Sequence, residues 1–148
     1  MRNQRTPKEL LADLDFIQSS KVSTSQASPF FSGIVYEIIL NKEIIKTNKQ
    51  LPDFVNGIII DTANKAPKIN NNLVEIAQLK SYIFASRTSV AARTSRIILE
   101  NFEYPTIEKV IANIVEYIER TAENKEISKP TLKKQSVSDS LDSWLGRK

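Results

Sequence analysis

The apolar pairs Phe30-Phe31, Ile34-Val35 and Ile38-Ile39 recur every four residues, and that spacing allows few ways of burying them. On an α-helix, positions four apart stack on one face. On a strand the two members of each pair would point to opposite sides. The segment is predicted to be a helix opened by Ser28-Pro29, because proline suits the first turn, where its missing N–H costs nothing. The Ser/Thr-rich stretch 19–27 reads as the loop before it, and the helix end as fraying over 41–50.

The same period runs through the rest of the chain. Thr6-Pro-Lys-Glu9 has the form of a capping box, followed by Leu10, Leu11, Leu14 and Ile17 on one face. Leu51, Phe54, Val55, Ile58 and Ile59 continue helical spacing. The β-branched run 58–60 would also suit a strand, and helix is the reading taken. After a loop at 66–72, one long helix is expected over 73–100, then a turn at 101–105. Ile107, Val110, Ile111, Ile114 and Ile118 mark a last helix ending near Glu123. The expected fold class is all-α. A compact bundle of about five helices forms a helical domain over 1–126, and 127–148 is a flexible linker with a terminal docking peptide. An apolar share of 41% over 148 residues is enough for one real core.

The residue types that are missing narrow the function. The chain has no histidine and no cysteine, which removes the usual neutral-pH base, thiolate chemistry and the commonest metal ligands. Its three glycines are too scattered for a phosphate-cradling loop. No catalytic residue, metal or cofactor is expected, and the chain does not read as an enzyme. No apolar run is long enough to span a bilayer and the first residues lack a signal-peptide pattern, so the expected location is the cytoplasm, with no membrane partner.

The net charge of +4 is unevenly spread: neutral over 1–39, +5 over 40–99, −4 over 100–126 and +3 over 127–148. Between Ile76 and Leu99 there is no acidic residue, while Lys80, Arg87, Arg93 and Arg96 are basic. On a helical wheel Ile83, Val90, Thr94, Ile97 and Ile98 form the inward stripe, with Ser89, Arg93 and Arg96 to one side of it. Arginine beside hydroxyls is the chemistry that holds phosphate oxygens, so Lys80, Ser89, Arg93 and Arg96 are the candidate nucleic-acid-binding residues. The structural alternative is that the small residues pack on a neighbour while the arginines pair with Glu108, Glu116, Glu119 and Glu123 of the last helix. Arg87 falls inside the apolar stripe and therefore needs a partner, with Glu37 or Glu108 as candidates. Arg2, Arg5 and Lys8 make a short basic arm, read as an ordinary solubilising terminus or as a contact to a nucleic-acid backbone.

The terminal peptide contains the only tryptophan. Val137, Leu141, Trp144 and Leu145 share one face of a short helix, and Gly146 follows where a helix would be capped. An aromatic anchor with two leucines has the composition of a binding hot spot, which makes these four the candidate partner-binding residues; the alternative is that they fold back on their own domain. The expected function is a non-enzymatic helical interaction protein. Its central basic helix would bind an acidic partner, DNA or RNA, and its tail would recruit a protein partner. The rival is a structural or adaptor subunit of a larger assembly without nucleic acid. If the helices leave an apolar face uncovered, a homodimer would cover it.

Overall fold

A computed structural model describes residues 5–19, 22–66 and 75–127, with side chains to residue 121. The five α-helices are α1 (Pro7–Gln18), α2 (Thr24–Leu40), α3 (Asp61–Lys65), α4 (Arg87–Asn101) and α5 (Tyr104–Ile127). No strand occurs among the described residues. Val137, Leu141, Trp144 and Leu145 lie outside the described residues, as does Arg2.

α1 begins as its sequence requires: Glu9 N donates to Thr6 Oγ1, and Thr6 N donates to Glu9 Oε1. Leu10, Leu14 and Ile17 are fully buried. α2 is the centre of the bundle and packs against α1, α4 and α5. Phe31, Ile34, Val35, Ile38 and Ile39 from its recurring pairs form the heart of the core, and Phe30 sits at its edge.

Two expectations at the ends of α2 are overturned. The helix starts at Thr24, so Pro29 lies inside it and 24–27 are helical rather than loop. The tolerance has a physical reason. Pro29 is exposed, and the carbonyl that loses its donor belongs to Ser25, on the exposed side. Nor does the far end fray. Asn41, buried, donates through Nδ2 to the Arg5 carbonyl and accepts from Glu43 N through Oδ1. Its own carbonyl receives Ile44 N and Ile45 N. That turn buries Ile44 and Ile45 in the core.

Residues 53–65 are helical, not strand, but Asp53–Ile60 winds in the wider π form before joining α3. The expected long helix over 73–100 is broken. Among its described residues, 75–80 carry no regular structure, Ser81–Ala85 is a 3₁₀ turn, and α4 starts at Arg87 under a Ser86 cap. Asparagine side chains account for the break. Asn64 donates to the Ile76 carbonyl and accepts from Ile76 N at 3.0 and 2.8 Å. Asn56 does the same to Leu79 at 3.2 and 2.9 Å. Each amide satisfies a donor and an acceptor that would otherwise close helical rings, so the segment lies as a strap along the π/α3 helix. Eight positions along an α-helix leave two side chains about 80° out of phase. The wider turn rotates the chain less per residue and brings Asn56 and Asn64 towards one line.

Two stability measurements check this account. Asn64→Ala leaves the Ile76 amide and carbonyl without partners and is expected to cost about 1–3 kcal/mol in urea unfolding. Gly33→Ala should stabilise by about 1 kcal/mol, because an added Cβ meets no atom within 4 Å and helix entropy is recovered.

Candidate functional site

α4 carries three kinds of residue, which the fold separates. Its inner face buries Val90, Ala91, Thr94 and Ile98; Ile97 is half-buried, and Ile83 is buried from the preceding 3₁₀ turn. Its flank lies antiparallel on α2, the most extensive helix pairing in the molecule. Three hydrogen bonds mark that seam: Ser28 Oγ donates to the Ile98 carbonyl, Ser95 Oγ to the Ser32 carbonyl, and Arg87 Nη1 to the Ile39 carbonyl. The small residues of α4 therefore serve helix packing.

Arg87 is not paired with Glu37 or Glu108. Its guanidinium donates to the Ile39 carbonyl at 2.8 Å and to Asn48 Oδ1 at 3.2 Å. Ile39 is in the last turn of α2, where carbonyls lack intrahelical donors and the helix dipole is negative; α2 has no basic residue of its own there. Arg87 supplies that cation from another helix. Burial lowers its pKa from the ordinary arginine value, and it stays charged.

Glu37 is taken by Arg5, whose Nε and Nη2 donate to its two carboxylate oxygens at 2.9 Å each, while Nη1 reaches Asp13. The hydrogen bonds to Glu37, with help from Asp13, hold the Arg5 pKa above its usual range against the opposing effect of burial. Arg5 therefore ties the start of the chain to α1 and α2 and is not a free arm residue.

What remains on the outer face of α4 is Thr88, Ser89, Ala92, Arg93 and Arg96, all exposed. Ser89, Arg93 and Arg96 are spaced i, i+4 and i+7 and share one side of the helix. Arg93 makes no ion pair among the described residues. Arg96 pairs with Glu100 of its own helix at 3.3 Å, with side chains 78% and 62% exposed, a contact worth well under about 1 kcal/mol and readily exchanged. No ion pair among the described residues joins these arginines to Glu108, Glu116 or Glu119; the side chain of Glu123 lies outside them. Lys80 is exposed but sits on the strap before the 3₁₀ turn, off the α4 face.

Among the described residues, Tyr82 at 72% and Leu99 at 52% are the most exposed large apolar side chains. Phe16, 43% exposed, packs edge-on against Phe30 with ring centres 6.2 Å apart. That pair floors a groove between the end of α1 and the start of α2, lined also by Val22, Ser25, Gln26 and Pro29. Sequence reasoning passed over it, although Phe16 stands well off the Leu10–Leu14–Ile17 stripe and in that sense announces an aromatic with no place in the core. Among the described residues no helix is long and apolar enough to cross a membrane, and no three acidic, His or Cys side chains are grouped to hold a metal.

Truncating the two classes of arginine should give opposite results. Arg87→Ala is expected to cost about 1–2 kcal/mol through the lost charge-assisted bond to Ile39. Arg93→Glu with Arg96→Glu should change the unfolding free energy by no more than about 0.5 kcal/mol, as exposed substitutions do. The chain matches no protein-family model, no curated protein and no solved structure.

Proposed function

We propose that this is a non-enzymatic interaction protein that binds an acidic partner, nucleic acid in the first instance, through the outer face of α4, and recruits a protein through its C-terminal peptide. The observation that carries the reading is the side-by-side exposure of Ser89, Arg93 and Arg96 on a helix, with no carboxylate of α5 among the described side chains paired to them. Two guanidiniums and a hydroxyl at helical spacing offer donors to successive phosphate oxygens, with Lys80 adding a further charge nearby in sequence. Nothing in that set reads base edges, so binding by this face is to the backbone and indifferent to sequence.

A second reading, a structural or adaptor subunit without nucleic acid, is favoured by the exposure of Tyr82 and Leu99, which a partner subunit or a second copy would cover.

Salt dependence tests the first reading. Three phosphate contacts predict affinity for DNA or RNA falling about 40-fold between roughly 50 and 200 mM salt. Arg93→Glu with Arg96→Glu should remove most of the binding and about two-thirds of that slope while the fold persists. Absent or salt-insensitive binding by folded protein rejects the reading in favour of the adaptor.

A further inference from the structure

We infer that the groove floored by Phe16 and Phe30 is the intramolecular seat of the chain's own terminal peptide, residues 136–148, with Trp144 as its anchor. The proposal is independent of whether α4 binds nucleic acid. It adds to the recruiting role of the tail by giving that peptide a resting place from which a protein partner must displace it.

The groove has the right character and location. Its volume is about 630 Å³, and Phe16, Phe30, Val22 and Pro29 make it largely apolar, with Ser25 and Gln26 at the rim. An aromatic pair in which Phe16 is exposed and Phe30 half-buried is surface that gains from being covered. The peptide supplies a matching face, since Val137, Leu141, Trp144 and Leu145 fall on one side of a helix and the serines and aspartates on the other.

The length of the chain beyond α5 supports this occupant over others. Tyr104, the first residue of α5, donates its hydroxyl to the Ile17 carbonyl at 2.9 Å, which places the start of α5 beside the end of α1 and so beside the groove. From there to Ile127 the helix rises about 34 Å. The chain from Ile127 back to Val137, if extended, covers about 33–36 Å, so the linker can retrace α5. Trp144 lies seven residues further on and has slack to settle.

Trp144 is the sole tryptophan, so its emission reports the seat without labels. In the full-length protein under native conditions, acrylamide should quench Trp144 about five- to tenfold less effectively than in the urea-unfolded chain, with emission shifted to the blue. This protection should be constant across a wide range of protein concentration. Phe16→Asp and Pro29→Glu should each abolish it; the second puts a charge in the groove while removing a proline from a helix, so it does not threaten the fold. Circular dichroism verifies folding of both. Wild-type Trp144 as accessible as in urea overturns the inference. So does protection that survives both folded variants, since the peptide would then sit elsewhere, and so does protection that grows with protein concentration, since the occupied groove would then belong to a second copy.

Discussion

The seam between α2 and α4 is the contact on which the arrangement rests. α2 is so broadly apolar that it has to be enclosed on several sides, and α4 closes the largest of them. The approach is close because the flanks offer serines and alanine rather than branched chains. Ser28 and Ser95 then donate their hydroxyls to the Ile98 and Ser32 carbonyls across the gap, and Ser32 donates its own to the Pro29 carbonyl within α2, so these three hydroxyls do not go unsatisfied. Arg87 ends the seam by capping the carbonyl end of α2. With the inner surface and one flank of α4 committed in this way, its remaining side faces solvent, and that side carries Arg93 and Arg96.

Four arginines thus divide into two pairs by what surrounds them. Arg5 and Arg87 are partly buried and their guanidiniums are engaged, one by carboxylates and one by a helix terminus and Asn48. Arg93 and Arg96 stand on long, exposed side chains, with a single easily exchanged partner between them. Charge alone did not distinguish these roles; accessibility and competition for donors did. A surface reading that gave every cation of the central block equal weight would place Arg87 in the binding face, although its guanidinium is turned to the Ile39 carbonyl and Asn48.

Much of the bundle was legible in the sequence because helical periodicity is strong where one face is buried: the capping box at Thr6, the stripe of α1, the pairs of α2 and the isoleucines of α5 all pack as their spacing implies. The misjudged places share a cause. Asn41, Asn56 and Asn64 redirect backbone hydrogen bonds through their side chains, and such residues look like loop filler when read in order along the chain. The break before α4 could not be seen from 73–86 because the groups that enforce it belong to another segment. Of the candidate site, the exposure of Ser89, Arg93 and Arg96 followed from the wheel, while the partner of Arg87 did not, since a carbonyl donates no charge to a sequence count. The groove at Phe16 was hidden for a different reason: it is formed by the crossing of two helices, and neither helix alone contains it.

The strap over 75–80 is gripped by its backbone at Ile76 and Leu79, and this has a consequence for how the chain stores information. Glu75 and Ala77 are exposed and do not choose the strap's position; the amides of Asn64 and Asn56, 12 and 23 positions before the residues they hold, do, with Gln78 Nε2 adding a bond to Asp61 Oδ1. Where α4 begins, and so which of its faces looks outward, is written in the pitch of the π stretch that brings those amides together. The exposed side chains of Glu75 and Ala77 are free to drift, whereas a single residue gained or lost between Asn56 and Asn64 would turn one amide away from the other and let the strap go. In this region length is the more tightly protected quantity, and composition matters only where Ile76, Gln78 and Leu79 touch the body of the fold.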